Sequence, residues 1–135
     1  MKKINILISI LICTFLLTGC GEKNTYTCSY QMEEDGIKIT EKIEAKLDSD
    51  KKVEALTLIV ESDNKEYLDS MYESYKIYND SAASNEKIVV SKSDNTITIE
   101  NAEKILQSED DKYIGISKEE FDTKVKQGNN EVICE

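Results

Sequence analysis

Residues 37–47 read Ile37-Lys38-Ile39-Thr40-Glu41-Lys42-Ile43-Glu44-Ala45-Lys46-Leu47. Ile37, Ile39, Ile43, Ala45 and Leu47 alternate with Lys38, Thr40, Lys42, Glu44 and Lys46. Successive side chains of a strand point to opposite faces, so this alternation predicts a strand with one face in a core and one in water. Glu41 alone breaks the apolar parity, placing a carboxylate where the pattern asks for hydrocarbon. Just upstream, Glu34-Asp35-Gly36 is a tight-turn signal. Before it, Thr25–Glu33 carries Tyr26, Cys28, Tyr30 and Met32 on one parity. Downstream, Asp48-Ser49-Asp50-Lys51 turns the chain and Val53–Glu61 runs back. The three segments predict an antiparallel meander.

The remainder mixes helix and strand. Asp63 or Asn64 caps a helix on which Leu68, Met71, Tyr72, Tyr75 and Tyr78 form one apolar stripe. Asn79–Asn85 reads as a loop, and Glu86–Ser91 and Thr96–Glu100 as a second hairpin turning at Ser93-Asp94-Asn95. A short helical turn is expected over Ala102–Leu106. Ser117 and Glu120 form a capping box for a last helix, with Phe121 and Val125 on its inner face and Gly128 just past its end. Val132-Ile133-Cys134 closes as a short strand. The expected class is α+β: a twisted antiparallel sheet, meander plus second hairpin, with two main helices packed on one face.

The N-terminus points to an address. Lys2 and Lys3 precede an apolar run, Ile4–Leu17, broken only by Asn5, Ser9 and Thr14. The run is shorter than the roughly 20 residues a spanning helix needs. It ends Leu17-Thr18-Gly19-Cys20, which resembles the bacterial lipobox. The resemblance implies that residues 1–19 are a lipoprotein signal peptide, that Cys20 is diacylated with palmitate-like chains, and that residues 20–24 are a short tether to one α+β domain over 25–135. An uncleaved anchor and an ordinary secretory signal are the alternatives. Two fatty chains hold a protein stably where one is marginal. The chain would then sit on the extracytoplasmic face of the membrane.

Cleavage removes Cys13 and lipid occupies Cys20, leaving Cys28 and Cys134. The compartment outside the membrane permits disulfides, so this pair is expected to bridge; two buried free thiols are the alternative.

Composition excludes several chemistries. There are 17 basic and 27 acidic residues, a net charge of −10, and every basic residue is lysine. Losing Lys2 and Lys3 with the leader makes the mature part more acidic still. Such a surface repels nucleic acid and anionic headgroups, so no nucleic-acid partner is expected and the lipid must anchor alone. Without histidine, imidazole base catalysis and His-ligated zinc are excluded from within the chain.

Three candidate chemistries remain. The acidic turns Asp48-Ser49-Asp50, Glu61-Ser62-Asp63-Asn64 and Glu109-Asp110-Asp111 offer oxygen ligands, but none has the calcium-loop spacing. Such residues usually form turns by bonding their own backbone, and no metal site or cofactor is expected. Tyr67, Tyr72, Tyr75 and Tyr78 could line a ligand groove on one helix, or simply pack on the sheet. Ser-x-x-Lys occurs at Ser49, Ser62 and Ser84 without its companion Lys-Thr-Gly, and Gly-x-Ser-x-Gly is absent. No catalytic residues are assigned.

The order of parts resembles the YehR-like family of small bacterial lipoproteins. It does so in Leu17–Cys20, Tyr26–Glu61, Tyr67–Tyr78, Lys87–Glu100 and Lys118–Cys134. The resemblance implies fold and location and carries no functional residue. The expectation is a non-enzymatic binding or interaction module of the cell envelope, attached through Cys20 and facing an envelope protein or a small ligand. The other readings are a solute- or cation-binding accessory lipoprotein and a small carboxylate-dependent hydrolase.

Overall fold

The computed structural model describes residues 24–135. The signal segment, Cys20 and all of the tether but Asn24 lie outside the described residues.

The meander forms as the alternation requires: β1 Thr25–Glu34, β2 Ile37–Leu47 and β3 Val53–Ser62. Asp35 and Gly36 both take positive φ, 50° and 80°, the backbone of a two-residue turn whose twist matches its strands. That turn sets Glu34 opposite Ile37 and fixes every later pair, including Cys28 with Ile43 and Tyr30 with Glu41. At the other end of β2 a bulge at Lys46/Leu47 leads into the turn. There the Asp48 carboxylate accepts the amides of Asp50 and Lys52, at 2.9 and 3.0 Å.

Helix α1 (Lys65–Ser81) follows, then β4 (Val89–Lys92), β5 (Thr96–Glu100), the single turn α2 (Glu103–Leu106), α3 (Lys118–Lys126) and β6 (Ile133–Cys134). The sheet is six-stranded and antiparallel, in the order β4-β5-β3-β2-β1-β6. Helix α1 lies against β3, β4 and β5, α2 against β3, and α3 against β1. Leu68 of α1 and Phe121 of α3, both fully buried, join one core with Cys28, Ile39, Ala45, Leu56, Leu58, Val60, Ile97 and Ile99. These strand residues share one parity across the registers, so both main helices cover the same face. The opposite face carries Thr27, Ser29, Gln31, Thr40, Lys42, Thr57, Glu61, Thr96 and Thr98 toward solvent. No helix among the described residues is long and apolar enough to cross a membrane.

Two boundaries differ from expectation by more than one residue. Helix α1 continues through Asn79, Asp80 and Ser81, and β4 begins at Val89 rather than Glu86. One side chain explains both. The Asn79 amide donates to the Ile88 carbonyl at 2.7 Å, and its oxygen accepts the Ile88 N–H at 2.9 Å. Asn79 therefore acts as a tertiary clasp, and Ile88 pairs with it instead of a strand. The capping box of α3 forms as read: Ser117 Oγ accepts the Glu120 amide, and the Glu120 carboxylate accepts the Ser117 amide at 2.9 Å.

Candidate functional site

Asn64 caps α1, its side-chain oxygen accepting the Tyr67 amide at 2.9 Å. Tyr67, Met71, Tyr72, Tyr75 and Tyr78 are half-buried against the core, so the four expected groove tyrosines do pack on the sheet. The structure then divides them. Tyr78 donates its hydroxyl to the Glu86 carbonyl, at the loop after the helix. Tyr72 stands beside Lys65, Asp69 and Lys92 at the β4 margin, where Lys92 pairs with Asp69. Tyr67 and Tyr75 lie about two turns apart on the helix, and the charge of one sheet carboxylate, Glu41, bears on both.

Glu41 is the residue that breaks the parity of β2, and the hairpin register explains what it does there. Tyr30 is its partner on β1 and Val60 its partner on β3, so all three side chains occupy the helix-covered face. The Tyr30 hydroxyl donates to Glu41 Oε2. Burial first, then this hydrogen bond and the carboxylate charge, push the Tyr30 phenol far above its ordinary range. Tyr67 and Tyr75 are raised for the same reasons, burial first and the Glu41 charge second. The phenols therefore stay protonated beside the carboxylate at any physiological pH. Glu41, Tyr30, Tyr67 and Tyr75 all remain partly open to solvent. No lysine lies within ion-pair distance of Glu41 among the described residues. Its sequence neighbour Lys42 points to the other face and is held by Glu61 at 2.7 Å.

Other recesses are less suited to a charged ligand. One, about 550 Å³, opens on the uncovered sheet face between Ser29, Gln31, Thr40, Lys42, Glu61 and Glu131. Its one lysine, Lys42, is already paired with Glu61. Of the acidic turns, Asp48 bonds its own backbone, whereas Glu61 pairs with Lys42 and Asp111 with Lys124.

Cys28 and Cys134 form a disulfide across the β1–β6 pair, their Cα atoms 4.0 Å apart. Asp122 lies near them, but the two sulfurs are bonded to each other rather than available as thiolates. Asp122 instead accepts the Tyr26 hydroxyl and pairs with Lys126 at 2.9 Å. These two hydrogen bonds, Tyr26 first, hold its carboxyl below the usual range, while burial and Asp122 push Tyr26 up to about 12.

Sequence reasoning did not find Asp122, Tyr26 or Glu103 as structural keystones. Glu103 is buried, and its carboxylate accepts the Leu56 amide at 3.0 Å where β5 has ended and β3 would otherwise lack a partner. No local pattern marks it.

No family model matches the chain, and neither a curated protein nor a solved structure matches it.

Proposed function

We propose that this chain is a lipid-anchored module on the outer face of a bacterial membrane, related to the YehR-like lipoproteins, and that its domain binds a ligand rather than transforming one. The observation that carries the binding reading is Glu41: a half-buried carboxylate on the core side of a sheet, where the sequence pattern asks for hydrocarbon, bonded to the Tyr30 phenol. A carboxylate in that position is a loss to folding unless something compensates it. Placements that break the local pattern concentrate at functional sites. The Cys28–Cys134 bridge supports the compartment, since such bonds persist outside the cytosol. The leader and Cys20 supply the attachment, and the acidic surface leaves that lipid as the whole of the membrane affinity.

The anchor is tested by Cys20→Ser. The parent protein is expected in the membrane fraction and the variant in the soluble extracytoplasmic fraction. Unchanged processing and membrane retention of the variant would refute the anchor.

A further inference from the structure

The last strand is held by little besides sulfur. The β1–β6 ladder runs only from Cys28↔Cys134 to Ser29↔Ile133. Beside it, Thr27 and Glu135 exchange both backbone hydrogen bonds, each at 2.9 Å. Cys28 and Cys134 are therefore the adjoining non-hydrogen-bonded pair, where side chains across an antiparallel ladder come closest. Of residues 129–135 only Val132 is buried. The two sulfurs are unlike. Cys28 belongs to the core and is 1% exposed, whereas Cys134 is half-buried at the margin of that core. A carboxylate oxygen of Asp122 lies within 4.8 Å of both sulfurs. Asp122 is fixed there by the Tyr26 hydroxyl and by Lys126 at 2.9 Å.

We propose that this bond is a one-sided redox latch: an external thiol opens it only through Cys134, and Asp122 resists the opening. Thiol–disulfide exchange needs access to one sulfur and a stable thiolate on the other. Access selects Cys134. The thiolate of a dithiol reductant bonds to Cys134 Sγ, the Cys28–Cys134 bond breaks, and its electron pair leaves on Cys28 Sγ, which takes a proton from solvent. The second thiol of the reductant then attacks the mixed disulfide and releases Cys134 as a thiol. Two electrons have passed to the protein, and the reductant departs as a disulfide. The Cys28 thiolate is the unfavourable intermediate. It forms in the apolar core and beside the Asp122 carboxylate, and both raise the pKa of a thiol and make it a poor leaving group. Lys126, paired with the same carboxylate, acts in the opposite sense. The better leaving group, Cys134, would require attack at the buried sulfur. Once the bond is open, β6 keeps only its few backbone bonds, and the outer edge of β1 at Thr27 and Ser29 becomes available to another strand.

The test treats the full chain in non-ionic detergent with excess mercaptoethanol, quenches with acid, caps free thiols with N-ethylmaleimide and locates both adducts by peptide mass. The mixed disulfide is expected on Cys134 and the maleimide on Cys28. With dithiothreitol as reductant, Asp122→Asn should speed reduction by about fivefold, and Lys126→Met should slow it. Tyr26→Phe keeps the carboxylate charge while removing one hydrogen bond to it, and should change the rate far less than Asp122→Asn. If the Asn variant does not fold, Lys126→Met carries the sign of the effect, and a rate there equal to or above the parent's would overturn the proposal. Mercaptoethanol found on Cys28 would overturn it too. So would an unchanged rate in Asp122→Asn, or a Tyr26→Phe variant as fast as the Asn variant. Reduction that climbs steeply with urea below the unfolding midpoint would assign opening to unfolding of the chain and sink the latch.

Discussion

Opening the Cys28–Cys134 bond should weaken the fold mainly by freeing the unfolded chain. The bond spans a sequence separation of 106 residues, nearly the whole described domain. In the chain-entropy picture, closing a loop of that length contributes about 4.7 kcal/mol near room temperature. Unfolding entropy scales at about 2.1 cal/mol/K per residue, so for a domain this size each kcal/mol moves Tm by roughly 4 °C. Reduction by a dithiol, or Cys134→Ser, should therefore lower Tm by about 20 °C. Cys134 is the position to change because Cys28 is 1% exposed and its loss would add a packing defect. Thermal melts followed by far-UV circular dichroism supply the first measurement, and stopped-flow refolding the second. Opening a bridge that acts through the denatured chain slows refolding and leaves unfolding nearly unchanged. The free-energy loss corresponds to about three orders of magnitude in the folding equilibrium. A Tm shift under 5 °C would refute the loop-closure reasoning. So would a loss carried wholly by faster unfolding, which would place the effect in native contacts at the β1–β6 pair.

Phe121 is fully buried and meets Tyr26 and Tyr113 edge-on at 6.3 and 6.0 Å, so Phe121→Ala should destabilise by about 3–5 kcal/mol in urea titration; a loss below about 1 kcal/mol would show that α3 does not seal the core. Glu103→Ala strips the Leu56 amide of its acceptor and should cost about 1–3 kcal/mol, with hydrogen exchange at Leu56 accelerated ahead of its strand neighbours. Asp122 has its folded pKa depressed by Tyr26 and Lys126, so its contribution is present above the ordinary carboxylate pKa and lost as pH falls through the lower folded value. Asp122→Asn should accordingly flatten part of the acid limb of a stability–pH profile; an unchanged limb would contradict the Tyr26–Asp122 assignment.

Much of the candidate site could be read from the sequence because its parts are local. The parity break at Glu41 is visible in residues 37–47, and Asp35-Gly36 fixes the hairpin so that Tyr30 must face Glu41. What the sequence could not supply was the side of the sheet and the distance. Nothing local says that α1 lies over β3, β4 and β5, or that Tyr72 and Tyr78 turn to the β4 margin and the following loop. Strand order has the same limit. Contiguous hairpins were legible, but the pairing of β5 with β3 and of β6 with β1 joins segments far apart in sequence. The Asn79 clasp on Ile88 shows why ends are harder than middles. A loop-forming residue was kept helical by a tertiary bond that no propensity encodes. Glu103 repeats the point in a single carboxylate.

Native mass spectrometry of the protein isolated from its own cells tests the central claim most directly, comparing the parent with Glu41→Gln. The parent should carry a small molecule as a non-covalent adduct that the Gln variant lacks. Bare masses in both, or the same adduct in both, would contradict a binding site at Glu41.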